Sequence, residues 1–406
     1  MNILSVNKYF FPKGGAETYY FSLNSLLKDK GYQVTTFSMK DQRNRPSSFE
    51  NYFVESIDYN KTNILKKMQY TAKLIYSLEA KKKIGRLIRD SNPSLAHLQN
   101  FYHQLSPSIL KEIKKYHLPV VFTAHDLKLL CPNYQMLCRG EICEKCKEHH
   151  YIQCALNRCM KDSTAASLVS MTEMYLHHML KSFDNIDVII TPSVFFRNKF
   201  IEFGFSPDKI VHIPNFVEVQ QYKPNYCSKG YAVYFGRLSR EKGVLTLVKA
   251  MKGLKNIDLY IAGDGPMKPV IEKNIEEAGM KNVKLLGFKT GDELAALIQN
   301  CYLTVLPSEC YENAPMSVLE AMACGKPVIG ADIGGIPELV QHGRTGYVFE
   351  PKNSQQLSEQ LNDLYTNPQK AIDMGLEARR RVEERFGREE HFEKIDGIYN
   401  KLLMCR

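Results

Sequence analysis

Apolar residues along the chain fall into short runs, each ending at a turn and followed by a stretch whose apolar positions recur at helical spacing. In the first half, residues 3–6, 33–38, 95–98, 120–124 and 188–191 read as strands. A helix is expected after the first of them, over residues 16–30, closed by Gly31. Residues 210–225, with Pro214 and Pro224 and few helix formers, read as a linker. A second alternation follows, with strands expected at 231–235, 258–262, 283–286, 303–306, 327–330 and 347–349. From about residue 354 the chain reads as helical to its end, broken near Pro368 and again at Phe386 and Gly387. Such alternation makes an α/β protein with parallel sheets, which take ligands in the loops beyond the carboxyl ends of their strands.

A chain of 406 residues exceeds what one hydrophobic core organises, so two α/β domains are expected, residues 1–222 and 223–385, with a closing helix at 386–406. An apolar fraction of 44% and a charged fraction of 24% are those of a globular protein and exclude disorder. The formal charge of +10 is unevenly spread. Between Lys61 and Asp90, nine basic residues (Lys61, Lys66, Lys67, Lys73, Lys81, Lys82, Lys83, Arg86, Arg89) face two acidic ones, Glu79 and Asp90. Ile64, Leu65, Met68, Leu74, Ile75, Tyr76, Leu78, Ile84 and Leu87 make this stretch amphipathic. It reads either as a solvated helix face or as a helix lying on an anionic membrane. No aromatic interleaving points to nucleic acid. The first apolar run is too short for a signal peptide, and no run approaches a membrane span. A cytoplasmic protein is expected, soluble or peripheral on the inner face of the membrane.

Candidate chemistry lies in loops after strands. In SECYENAPMSVLEAMACG, Glu312 precedes Asn313, Ala314 and Pro315, and a helix from Met316 is stopped by Gly325. The amino end of such a helix offers free N–H groups to a diphosphate. Glu320 lies on that helix among Val318, Leu319, Ala321, Met322 and Ala323, where an unpaired carboxylate is costly. In FGRLSREKG, Arg237 and Lys242 flank a strand-to-helix loop and can compensate a diphosphate's charge. Gly14 and Gly15 follow the first strand and would let backbone N–H groups approach a phosphate, although the full dinucleotide fingerprint is absent. His125 and Asp126 stand at a strand end. Six of the eleven cysteines fall within residues 131–159, an insertion in the first domain. Cys143 and Cys146 have the spacing of a metal knuckle, and two of Cys131, Cys138, Cys154, Cys159, His149 and His150, with Cys131 and Cys159 foremost, can complete a structural zinc site; the other reading is a loop of reduced thiols.

In order, the GG loop (Gly14, Gly15), the IPN segment ending at Asn215, the GR…K loop (Arg237, Lys242), the E-x7-E pair (Glu312, Glu320) and GGIPE (residues 334–338) resemble the GT-B superfamily, and within it retaining glycosyltransferase family 4. The resemblance implies two Rossmann-like domains facing across a cleft, the first on the acceptor side and the second binding the donor, with the closing helix packed back on the first. It implies transfer of a hexose from a UDP- or GDP-sugar to a glycan or lipid-linked acceptor, as in capsule or O-antigen assembly, with retention at the anomeric carbon and no metal at the diphosphate. Arg237 and Lys242 would hold the diphosphate, Glu312 and the backbone of Asn313, Ala314, Pro315 and Met316 the sugar, and Glu320 the ribose. Gly15 would place its amide near the phosphate, and His125 would contact the sugar near its reacting carbon. Other readings of the same fold are a nucleotide-sugar epimerase and a non-catalytic subunit that binds nucleotide sugars.

Overall fold

The structure, a computed structural model, describes residues 1–56, 64–226 and 230–404. The chain divides into two compact units. One comprises Met1–Arg139, Cys143–Ile213 and Phe392–Arg406, the other Gly140–Ile142 and Pro214–His391. These divisions stand beside the boundaries at 222/223 and 385/386 expected from sequence.

The first unit is built on a six-stranded parallel sheet. Its strands are β1 (Asn2–Val6), β2 (Gln33–Phe37), β3 (Leu95–Leu98), β4 (Val120–Thr123), β5 (Val188–Thr191) and β6 (Ile210–His212). Their spatial order is β2-β1-β3-β4-β5-β6. Ile3, Leu4, Leu95, Val120 and Val121 are fully buried, as expected where helices cover both faces and the strands read as continuous apolar runs. Strand β6 lies in the segment that reads as linker. Ile210, Val211 and His212 pair with Ile189, Ile190 and Thr191. Three residues ahead of Pro214 are too few for an alternation to register, and it is the β5 edge that makes them a strand.

The end of the last helix, Arg388–Met404, belongs to this unit from Phe392 onward. The Tyr399 hydroxyl, fully buried, lies 2.5 Å from His97 Nδ1, whose other ring nitrogen is 2.8 Å from Thr123 Oγ1. Tyr32 also hydrogen-bonds Asp396.

Of the basic stretch, Lys61 lies outside the described residues, as do the side chains of Ile64, Leu65, Lys66, Lys67 and Met68. The rest forms two helices, Ile64–Ile75 and Leu78–Ser91. In the second, Ile84, Leu87 and Ile88 are buried in the core of the unit. Lys73 and Lys83 both pair with Glu79, at 3.2 and 3.1 Å.

The second unit repeats the plan with β7 (Tyr231–Phe235), β8 (Asp258–Ala262), β9 (Val283–Gly287), β10 (Leu303–Leu306), β11 (Val328–Ala331) and β12 (Gly346–Phe349). All run parallel, in the order β9-β8-β7-β10-β11-β12, so the winding reverses between β7 and β10. Two apolar layers cover the sheet. One includes Leu247, Leu259, Ile271, Leu357 and Leu361, the other Val318, Leu319, Met322, Ala378 and Val382. Among the described residues no helix is long and apolar enough to cross a membrane.

Candidate functional site

The reversal point of the second sheet is where a crevice opens beyond the strand ends. Two loops meet there, one after β7 and one after β10. The Glu309 N–H donates to Glu241 O at 2.8 Å, and Thr246 Oγ1 donates to Glu309 Oε1 at 2.7 Å. Gly243, at φ +65°, sits so close to the second loop that an added Cβ would lie 1.8 Å from Pro307 O. Only glycine satisfies both that conformation and that approach.

The loops place Lys242 Nζ 2.5 Å from Glu312 Oε1, and Ser308 Oγ donates to the same oxygen at 2.6 Å. Burial works against the Lys242 ammonium, but the Glu312 carboxylate outweighs it and the pKa stands above the ordinary lysine value. Arg237, more exposed, is steadied by Glu241 Oε1 at 2.7 Å, to which Ser239 Oγ also donates at 2.7 Å. Two cations and one firmly held carboxylate therefore share one small region.

Glu312 is fixed from behind as well. The Gly335 N–H donates to its carbonyl at 2.8 Å, and Gly334, at φ +62°, would carry a Cβ only 2.2 Å from that oxygen. Asn215 Nδ2 donates to Ala314 O at 2.8 Å. Asn215 is buried and shapes the loop from beneath. The helix Met316–Ala323 then begins after Pro315 with no side chain capping its amino end. Proline suits such a start because its φ is already helical and its missing N–H is one the helix would leave unbonded.

Glu320, half-buried on this helix, makes no side-chain hydrogen bond or ion pair among the described residues. Burial pushes its carboxyl up to about 7. Burial raises the neighbouring Tyr222 hydroxyl too, with the Glu320 charge adding to the effect. A desolvated carboxylate without a donor is an acceptor awaiting one.

In the first unit, Gly14 precedes the helix Gly15–Asp29. Its φ of −173° is extended backbone open to any residue, and an added Cβ would meet only Glu17 Oε2 at 3.8 Å. The protein's own packing does not require glycine at this position. His125, beyond β4, has Nε2 2.5 Å from Gln99 Oε1 and its ring edge-on to Tyr19, with centroids 5.1 Å apart. Burial lowers its pKa to about 3, so the ring is neutral, while burial raises Asp126 to about 6. Lys128 and Glu173 form an ion pair of 2.8 Å, with side chains 1% and 4% exposed.

The described cysteines are all free thiols. Cys131 hydrogen-bonds Cys146, and Cys159 hydrogen-bonds Cys154 and Cys138. Among the described residues no three His, Cys, Asp or Glu side chains are grouped so as to hold a metal. Of the set expected from spacing, Cys131 and Cys146 pair. Burial raises the Cys143 thiol and the Cys154 contact raises the Cys159 thiol, and both stand near enough to Cys131 for its charge to add to the rise.

A family model described as Glycosyltransferase Family 4 matches residues 13–221, just over half of the chain, and one for glycosyl transferases group 1 matches residues 220–381. The chain belongs to glycosyltransferase family 4. Its fold is GT-B. Among curated relatives, a 42.6 kDa protein in the cps region of Klebsiella pneumoniae is 28% identical over 84% of this chain and 87% of its own length. The O-antigen chain mannosyltransferase C of Escherichia coli is 22% identical over 99% of each. A glycosyltransferase of Methanocaldococcus jannaschii is 33% identical over 34% of this chain, which spans only 38% of that relative's length. Sucrose-phosphate synthase from Thermosynechococcus elongatus shares the fold over 100% of both chains, with a TM-score of 0.76 at 20% identity. HepE of Anabaena, solved in complex with UDP-glucose, shares it with a TM-score of 0.70 at 19% identity, over 99% of this chain and 100% of that one.

Within this family member, Asn215, Arg237, Lys242, Glu312, Asn313, Ala314, Pro315, Met316 and Glu320 lie in the second unit, on the two loops at the reversal point, the helix that follows, and the segment beneath. Gly14, Gly15 and His125 lie in the first unit, beyond the ends of β1 and β4. Sequence reasoning missed Glu241, which holds Arg237, Ser308, which holds Glu312, and Glu309, which ties the two loops together. The one available signal was their position, immediately after strands on either side of the reversal.

Proposed function

We propose that this protein is a retaining, metal-independent glycosyltransferase. It moves a hexose from a UDP- or GDP-sugar to a glycan or lipid-linked glycan acceptor during assembly of a cell-surface polysaccharide. The observation that carries this reading is the Lys242–Glu312 contact of 2.5 Å beside an uncapped helix amino end. In this reading Arg237, Lys242 and the helix terminus stabilise the departing diphosphate electrostatically as the glycosidic bond breaks. Glu312, held by Lys242 and Ser308, accepts hydroxyl hydrogen bonds from the sugar, and Glu320 accepts them from the ribose. Neutral His125 contacts the sugar near its reacting carbon. The acceptor attacks on the face the leaving group vacates, and the departing phosphate takes its proton. The relatives from the cps region and O-antigen assembly support a polysaccharide acceptor. The protein works in the cytoplasm or peripherally at the membrane's inner face.

Free-nucleotide release is the test, measured with EDTA present across UDP-, GDP- and ADP-sugars. One donor should be hydrolysed slowly by the wild type and not by Glu312→Ala or Arg237→Ala. NMR of the first-formed sugar should show the donor's anomeric configuration. Release that survives both substitutions removes this site from the reaction, and an inverted anomer overturns the retaining assignment.

A further inference from the structure

A second cationic site lies at the amino end of β12, the edge strand of the second unit's sheet. A cavity of about 150 Å³ is lined by Arg344, Arg380, Arg381 and Arg385 with Glu377 and Glu384. Arg344 stands in the turn immediately before β12, at the amino ends of the strands, whereas Arg237, Lys242 and Glu312 follow carboxyl ends. The three other arginines come from the helix Pro368–Arg385.

The charges do not balance. Glu377 Oε2 is shared by Arg344 Nε at 2.9 Å and Arg380 Nη2 at 2.8 Å, so one carboxylate oxygen serves two guanidiniums. Glu384 approaches only Arg380, at 3.9 Å. Arg381 donates to two carbonyls, Leu339 O at 3.2 Å and Glu338 O at 2.8 Å, and has no carboxylate partner among the described residues. Arg385 has none either. Burial lowers the Arg381 pKa, and the neighbouring Arg385 and Arg344 charges lower it further, as expected in a region of uncompensated positive potential.

The favourable placement of cations near a helix carboxyl end, with i,i+4 partners, would account for Arg380 and Arg385 alone. It does not account for Arg344, which reaches the same cavity from another element, or for the half-buried Arg381 facing two like charges. We propose that this cavity binds a phosphate group, taken between the planar guanidinium forks of Arg344, Arg381 and Arg385. The phosphate comes from a free phosphorylated solute or from the headgroup of an anionic lipid. The site is separate from the donor site and independent of the transferase reading.

Two probes distinguish the sources. Inorganic pyrophosphate is titrated calorimetrically into the chain at fixed ionic strength. Vesicles of phosphatidylcholine, with and without about a third phosphatidylglycerol, are tested by co-flotation. The donor loop would also take pyrophosphate, so Arg344→Gln with Arg385→Gln is made in the Arg237→Ala background and compared with Arg237→Ala alone, each checked for an unchanged melting temperature. Binding of one or both probes should persist in Arg237→Ala and weaken at least tenfold when Arg344→Gln and Arg385→Gln are added. A response confined to pyrophosphate assigns a free phosphorylated solute, and one confined to phosphatidylglycerol vesicles assigns a lipid. Absence of binding by either probe, or binding that the added pair of substitutions leaves intact, overturns the proposal.

Discussion

Replacing Glu320 by glutamine should stabilise the empty protein while weakening its hold on the nucleotide. Burial raises the Glu320 carboxyl from the ordinary value of 4.5 to about 7, so between those values the folded protein keeps a proton that the unfolded chain releases. Linkage then sets the sign: stability is greatest below pH 4.5 and falls as the pH rises towards 7. At about 1.4 kcal/mol per tenfold change in proton affinity the full gap is roughly 3 kcal/mol. The side chain is only half-buried, and solvent screening reduces this to about 1–2 kcal/mol. Glutamine carries no charge to desolvate, so Glu320→Gln should exceed the wild type by that amount near pH 8 and match it near pH 4.5. Asp126, raised to about 6, imposes its own slope, but equally on both proteins. On the proposed ribose contact, nucleotide reverses the balance, because ribose hydroxyls would donate to the charged form. UDP or GDP should therefore bind the wild type more tightly at pH 8 than at pH 5.5, and Glu320→Gln more weakly with little pH dependence. Urea denaturation at several pH values, with calorimetric nucleotide titration, measures both effects. Parallel stability curves for the two proteins, or a variant less stable at pH 8, would refute the argument.

Three further substitutions test the supports of the site and of the first unit. Lys242→Met leaves Glu312, with 12% of its side chain exposed, without its cation; a loss of about 1–3 kcal/mol and at least a hundredfold fall in nucleotide release are expected, and near-normal release would contradict the electrostatic role. Gly334→Ala drives a Cβ to 2.2 Å from the Glu312 carbonyl at φ +62°, so donor KM should rise severalfold with a stability loss of about 1–3 kcal/mol, whereas wild-type kinetics would mean the loop relaxes freely. Lys128→Met strands Glu173 in a pair whose side chains are 1% and 4% exposed; urea denaturation should show a loss of about 3–5 kcal/mol, and less than about 1 would mean water reaches the pair.

How far the chain can be read before folding depends on whether a property is carried by a residue's neighbours in sequence or in space. Parallel strands covered on both faces are continuous apolar runs, so β1, β4, β7 and β10 were legible. Strand β6 was not, because its only evidence is the edge of β5. Glu320 was legible because five apolar neighbours on one short helix make a solvated carboxylate implausible. The Lys242–Glu312 contact spans 70 residues and was legible only as a family pattern. Ser308, which holds Glu312, and Glu241, which holds Arg237, are ordinary loop residues until the two loops are brought together.

Periodicity has the same limit in the basic stretch. A helical stripe of apolar residues reports that something covers it, not what. Ile84 and Leu87, which suit a membrane face by pattern, are buried in the first unit's core, where the helix packs against its neighbour Ser108–Lys115. The cysteines show it once more. The C-x2-C spacing places Cys143 beside Cys146, yet the largest influence on the Cys146 thiol comes from Cys131, brought round by the fold, which spacing does not report. The arginine cavity is the converse case, since Arg344 and Arg385 are 41 residues apart and unremarkable singly. Only their convergence on one small volume with too few carboxylates turns ordinary surface charge into a site that calls for an anion.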